Sequence, residues 1–282
     1  MATVNELSTK EQPTWCPGCG DFSILSVVKM AIAELGLEPH NTLIVSGIGC
    51  GSKTPHFVRT YGFEGLHGRS LPVATGAKFA NPKLNVIVIG GDGDGYGIGG
   101  NHFLHTMRRN INITYLVQNN EVYGLTKGQS SPTSEQGFKS PSTPHGVLEE
   151  PLNPMALGIV TGASYVARAY AFDLQNMKEL IKNAIQHKGF SLVDIFQPCP
   201  TYNKINTMIW FKQRLYKLTE HDPSDKKAAL EKADEWGEKI PYGLLYQTQK
   251  PIYEDGLPQA QVPPVKQDIH NIKIVPALAK FE

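Results

Sequence analysis

Four cysteines, Cys16, Cys19, Cys50 and Cys199, are the residues of this chain best equipped for chemistry. Cys16 and Cys19 stand three apart in Trp15-Cys16-Pro17-Gly18-Cys19-Gly20, a turn rich in Gly and Pro that leaves backbone amides free to point at sulfur. Such a turn suits chelation. Cys50 lies in Gly47-Ile48-Gly49-Cys50-Gly51 and Cys199 in Gln197-Pro198-Cys199-Pro200, each directly after a run that reads as a strand. The carboxyl ends of parallel strands share one rim of their sheet, so topology can carry both distant thiols to the side where Cys16 and Cys19 sit. Four thiolates complete the ligand set of a [4Fe-4S] cluster, and a proline after the last cysteine is a feature of ferredoxin-type loops. The alternatives are a structural zinc with four thiolates, a redox dithiol of Cys16 and Cys19 alone, and unrelated buried thiols. Zinc is the strongest of these, although zinc sites usually pair two CxxC knuckles and here the second pair is split over about 150 residues.

A second constellation follows the apolar run Val86–Gly90: Gly91-Asp92-Gly93-Asp94-Gly95-Tyr96-Gly97-Ile98-Gly99-Gly100-Asn101, leading into a helix. Glycines let amides approach phosphate, and the amino end of the helix is partially positive. Gly95-x-Gly97-x-x-Gly100 satisfies a dinucleotide pattern, but two aspartates crowd the turn. The next strand ends in Gln118-Asn119-Asn120 where a ribose-binding acid belongs. Both departures suit a divalent cation, since Asp92 and the Asn119-Asn120 pair end consecutive strands and their oxygens can meet around a magnesium ion that bridges a diphosphate. Gly47–Thr54 imitates a P-loop with Ser52 in place of the second glycine. It is rejected, because Pro55 and its neighbours do not open the amphipathic helix that a P-loop needs.

The elements that must position these groups are legible in outline. Ile24, Leu25, Val28, Ile32 and Leu35 follow helical spacing, so a helix is predicted over 21–35, capped by Asp21 and stopped at Gly36. Runs 42–46, 86–90, 113–118 and 191–196 are β-branched and nearly unalternated, as strands covered on both faces are. Helices are predicted over 101–109 and 173–187, giving a βαβ order and an α/β fold with a parallel sheet flanked by helices. We place one domain at 1–202. Residues 203–282 read as a C-terminal arm, with a charged helix at 224–239 and a Pro-rich stretch from 241; Tyr242, Leu244, Leu245 and Tyr246 are costly to expose and suggest packing on a partner subunit. The 282 residues carry a net charge of +1 with no long basic run, which argues against nucleic acid or an anionic membrane as partner. No apolar run reaches the roughly 20 residues of a membrane helix and the first fifteen residues lack a signal-like pattern. A cytoplasmic location is expected, and Asn112-Ile113-Thr114 then has no consequence as a glycosylation triplet.

From Trp15 to Pro200 the motifs WCPGCGDF, SGIGCGSK, GLHGRSLPVATGAKFANP, IGGDGDGYGIGGNHF, QNNEVYGLTKGQ and QPCP together resemble the β subunit of 2-oxoacid:ferredoxin oxidoreductases. Gly91-Asp92-Gly93 followed after 25 residues by Asn119-Asn120 is similar to the general thiamine-diphosphate signature. The resemblance implies that Cys16, Cys19, Cys50 and Cys199 ligate a [4Fe-4S] cluster and that Asp92, Asn120 and the carbonyl of Val122 hold magnesium. It implies that Gly93, Asp94, Gly124 and Leu125 surround thiamine diphosphate, with Ile48, Gly49, Cys50 and Gly51 as the wall towards the cluster. His67 is implied to contact the cofactor, and Lys53 to face the far end of the substrate, which would favour the second carboxylate of 2-oxoglutarate over pyruvate. The implied reaction is coenzyme A-dependent oxidative decarboxylation of a 2-oxoacid with electrons leaving to ferredoxin, or its reductive reverse. A pyrimidine-binding domain is missing from this chain, so a larger α subunit, or α and γ subunits, is implied. The competing readings are a non-redox thiamine-diphosphate decarboxylase with structural zinc, and a scaffold that only relays electrons.

Overall fold

The chain is described by a computed structural model covering residues 2–268, 270 and 275–279. In order, its strands are β1 (Thr42–Ser46), β2 (Tyr61–Glu64), β3 (Asn85–Gly91), β4 (Thr114–Asn119), β5 (Val122–Tyr123), β6 (Gln129–Ser130), β7 (Tyr165–Tyr170), β8 (Ser191–Phe196), β9 (Leu215–Lys217) and β10 (Ile240–Gln247). The helices that cover them are α1 (Asp21–Glu34), α2 (Ser70–Ala80), α3 (Gly100–Arg109), α4 (Pro154–Thr161), α5 (Leu174–Gln186), α6 (Met208–Arg214) and α7 (Lys226–Asp234). Eight strands make one sheet in the order β2-β1-β3-β4-β8-β7-β10-β9. Its six leading strands are mutually parallel and β10 runs antiparallel to β7. The fold is thus the mostly parallel, helix-flanked sheet expected from the unalternated runs.

Burial on both faces explains those runs. β4 and β8 are buried at every position, the first face under α1 and α5, the second under α2, α3, α4 and α7. In α1, Ile24, Val28, Ala31 and Ile32 form the inward stripe, and the helix ends where Gly36 takes φ +64°. Asp21 does not cap it: the cap position is Gly20, and Asp21 is the first helical residue with its carboxylate buried and unpartnered.

The polypeptide beyond residue 202 returns to the sheet in β9 and β10. β10 pairs with β7 from Gly243↔Arg168 to Gln247↔Tyr165 across a bulge, and Ile240 and Leu245 are fully buried in this chain's own core. Tyr242 donates to Asp173 at 3.0 Å. The apolar residues read as reserved for a partner are therefore largely satisfied within the chain. Pro241 and Gly243 disguise the strand, and its bulge lies beyond them, between Leu244 and Tyr246.

Candidate active site

Strand register puts the chemistry on one rim. The last residues of β1, β3, β4 and β8 are Ser46, Gly91, Asn119 and Phe196; Ser46 pairs with Ile89, Gly91 with Gln118 and Asn119 with Phe196, so parallel neighbours end within two residues of one another and the segments that follow emerge on the same rim. These segments are Gly47–Gly51, Asp92–Gly100, Asn120–Thr126 and Gln197–Pro200. They form a cleft lined by Ile48, Gly49, Cys50, Gly51, His67, Asp92, Gly93, Asp94, Gln118, Asn120, Val122, Gly124 and Leu125.

Asp94 holds the cleft together. Its Oδ1 accepts from the Ile48 N–H at 2.9 Å, the Gly68 N–H at 2.7 Å and His67 Nδ1 at 2.7 Å, tying two loops to one carboxylate. A Cβ on Gly47 would stand 2.1 Å from Asp94 Oδ2, so only glycine permits this approach. A carboxylate acceptor at Nδ1 assigns the imidazole proton to that nitrogen and leaves Nε2 as the acceptor. The His67 ring meets the Tyr123 ring edge to face at 6.0 Å, and Tyr123 donates to the Gly93 carbonyl at 2.9 Å. After Asp92 the backbone makes a wide turn closed by Gly99 N–H to Asp94 O at 2.8 Å, a geometry common at functional sites.

Asp92 is buried, and burial raises its carboxyl above the ordinary range against the lowering effect of the Ser131 and Thr133 hydroxyls. Thr133 Oγ1 donates to Asp92 Oδ2 at 2.8 Å and lies 2.9 Å from Asn119 Oδ1. Asn119 is turned inward instead, giving its amide to Asp194 at 3.2 Å, so Asn120 is the member of the pair that lines the cleft. A cation beside Asp92 would offset the cost of its buried charge. The buried amide of Gln118 has neither its oxygen nor its nitrogen partnered, and a Cβ on Gly51 would fall 1.2 Å from that oxygen. An orphaned amide on a glycine-lined wall fits a polar cofactor, and oxygens from Asp92, Asn120 and Val122 are the hard donors magnesium prefers.

The thiols gather beside this cleft. A Cβ on Gly124 would stand 3.6 Å from Cys50 Sγ and 4.0 Å from Cys199 Sγ. Burial pushes the Cys50 thiol up to about 11, with Asp21, Cys199 and Cys16 adding to it. Burial drives Cys19 higher still, and Asp21 and Cys199 push in the same direction. Cys199 thus acts electrostatically on both Cys19 and Cys50, and Cys16 on Cys50. The loop bearing Cys16 and Cys19 is pinned by Trp15, whose Nε1 donates to the Cys50 carbonyl at 2.7 Å and whose ring packs on Phe22 and Phe57. Two sulfurs receive N–H donors, Cys19 from Gln197 Nε2 at 2.9 Å and Cys199 from the Tyr202 N–H at 3.4 Å.

Lys53 stands apart from the residues that line the cleft. It lies on the 3-10 helix Gly51–Phe57, which contains Pro55 and gives the P-loop imitation no α-helix, and its Nζ reaches Thr14 Oγ1 at 3.5 Å. Its charge acts on the cysteine side, favouring the ionised forms of Cys50 and Asp21. Sequence reasoning misses the parts played by Gln118, Tyr123, Thr133 and Gln197. Of these Gln197 has a signal, its place in the motif that carries Cys199.

Among the described residues no helix is long and apolar enough to cross a membrane. Residues 47–195 match the thiamine pyrophosphate enzyme C-terminal TPP-binding domain, and residues 199–262 match the family of C-terminal regions of pyruvate ferredoxin oxidoreductase β chains. The β subunit of 2-oxoacid:ferredoxin oxidoreductase 1 from Aeropyrum pernix is 51% identical over 91% of this chain and 85% of its own length. The 2-oxoglutarate oxidoreductase subunit KorB of Mycobacterium tuberculosis is 47% identical over 70% of this chain and 53% of its own. The solved 2-oxoglutarate:ferredoxin oxidoreductase from Magnetococcus marinus, with 2-oxoglutarate, coenzyme A and succinyl-CoA bound, aligns at a TM-score of 0.92 and 42% identity over 100% of this chain and 96% of that one. With a thiamine-diphosphate-binding domain at its core and partner subunits implied by its class, this chain belongs to the β subunits of the 2-oxoacid:ferredoxin oxidoreductases.

Proposed function

We propose that this chain holds thiamine diphosphate, magnesium and a [4Fe-4S] cluster, and serves coenzyme A-dependent oxidative decarboxylation of a 2-oxoacid, with ferredoxin as electron acceptor. The observation that carries this reading is the neighbourhood of Gly124, where Cys50 and Cys199 border the same loop that lines the cofactor cleft. Thiamine diphosphate when bound supplies an electron sink for loss of carbon dioxide, and the cluster supplies one-electron steps. The chain's own residues do the rest. Asp92, the Asn120 side chain and the Val122 carbonyl would hold magnesium, with Thr133 fixing the Asp92 carboxylate. Asp94 locks the Ile48–Gly51 wall and fixes the His67 tautomer, leaving Nε2 to accept a hydrogen bond from cofactor or substrate. The Ile48–Gly51 wall lines the cleft that would hold the cofactor and includes Cys50, which would also ligate the cluster.

A redox dithiol of Cys16 and Cys19 alone would leave Cys50 and Cys199, which border the same loop at Gly124, without a part. Zinc has less support as well. Four-thiolate zinc sites usually pair two CxxC knuckles, whereas here Cys50 and Cys199 stand about 150 residues apart.

We favour 2-oxoglutarate as substrate because relatives named for it match this chain and Lys53 offers a cation to a distal carboxylate. Residues 203–282 are proposed to contact the larger subunit through what β10 leaves exposed. The test is an anaerobic assay of the reconstituted complex against a panel of 2-oxoacids with coenzyme A and a viologen dye. Reduction with 2-oxoglutarate ahead of pyruvate, and none by this chain alone, is expected. Preference for pyruvate would overturn the substrate, and turnover by the isolated chain would overturn the need for a partner.

A further inference from the structure

Gln197 joins the two halves of the site. The residue is 1% exposed; Nε2 donates to Cys19 Sγ at 2.9 Å while Oε1 accepts from Asn120 Nδ2 at 3.2 Å. The backbone of Gln197 is pinned as well, its N–H donating to the Asn119 carbonyl at 2.8 Å. The close approach to the cysteine loop needs Gly20, where a Cβ would lie 2.7 Å from Gln197 Cγ. Asn120 is held from its other side by Asn203, whose Nδ2 donates to the Asn120 carbonyl at 3.1 Å.

Donor and acceptor counting leaves one arrangement for this amide. A thiolate on iron can only accept, and an Asn120 oxygen turned to a cation leaves its NH2 group facing Gln197. The glutamine must therefore give N–H to sulfur and oxygen to Asn120. We propose that Gln197 is a positioning residue with two duties: its N–H···S bond raises the reduction potential of the cluster, and its oxygen holds the Asn120 amide with Oδ1 towards the metal. The inference rests on the function proposed above. Reduction adds negative charge to the cluster, and a donor fixed on a ligand sulfur stabilises the more negative state. Because one buried amide serves both groups, the cluster and the metal are linked by a single rigid side chain.

Two variants of the full complex separate the duties. Gln197→Met keeps the length and removes both hydrogen bonds; Gln197→Glu keeps an acceptor for Asn120 and places a carboxylate beside the sulfur. Cluster midpoint potential is read by electron paramagnetic resonance during a reductive titration, with iron and sulfide content measured on the same samples. Magnesium affinity is read from thiamine diphosphate uptake by protein fluorescence. We expect a more negative midpoint in both variants at wild-type iron content. Magnesium affinity should fall about 10- to 100-fold in Gln197→Met and stay near wild type in Gln197→Glu. Equal midpoints for the wild type and Gln197→Met at full iron content would overturn the cluster duty. An equal loss of magnesium affinity in both variants would overturn the metal duty. Wild-type protein without iron would instead overturn the parent reading, and this one with it.

Discussion

Replacing Thr133 with valine isolates the second layer of the metal site, because the side chain touches two oxygens and keeps its shape when the hydroxyl is lost. Thr133 is 4% exposed, and its Oγ1 lies 2.8 Å from Asp92 Oδ2 and 2.9 Å from Asn119 Oδ1. Valine opens no cavity, so the cost is polar. Losing an outer-layer partner of a metal ligand lowers affinity by about 10- to 100-fold, which is about 1.4 to 2.8 kcal/mol. A buried oxygen left without a donor costs a further 1 to 3 kcal/mol of stability, roughly. The assay is a magnesium titration of the anaerobic complex at saturating thiamine diphosphate, beside thermal unfolding without metal. A weaker magnesium affinity that Thr133→Ser restores is expected. If Thr133→Val unfolds at lower temperature yet binds magnesium as the wild type does, the hydroxyl serves the fold alone and the reasoning about Asp92 fails.

Gly51→Ala drives a methyl group to 1.2 Å from Gln118 Oε1; we expect thiamine diphosphate binding to weaken at least about tenfold by calorimetry, with stability down by about 1 to 3 kcal/mol. Lys53→Ala should raise KM for 2-oxoglutarate about tenfold or more and leave pyruvate almost unaffected, a split that steady-state kinetics would expose. Asp194, buried against the Tyr96 hydroxyl at 2.8 Å, has its carboxyl raised to about 6, chiefly by burial. The unfolded chain gives up that proton near pH 3.9, so the contribution to stability is fully present below about pH 4 and is lost as pH rises through 6, about 3 kcal/mol at most. Denaturant unfolding of wild type and Asp194→Asn from pH 4 to 7 should differ by that slope, and parallel curves would refute it.

How much is legible follows the physics of each segment. Thr42–Ser46 and Ser191–Phe196 emerge with the bounds read from sequence, because strands buried on both faces need continuous apolar residues. β2 is invisible because all four of its residues are exposed at the sheet edge, and α2 because Pro72, Thr75 and Gly76 interrupt any helical signature. β10 hides behind Pro241 and Gly243. The cysteines and Asp92 are readable from type and spacing, and their convergence from the rule that strand ends share a rim. Thr133 and Gln197 are not, since their roles depend on contacts across 41 and 178 residues that leave no local pattern.

Iron and acid-labile sulfide analysis of protein purified without air, with resonance of the reduced sample, tests the central claim most directly. A brown protein with about four irons and four sulfides per chain, lost on replacing Cys199 with serine, is the predicted result. A colourless protein that holds zinc through the same four thiols would contradict it.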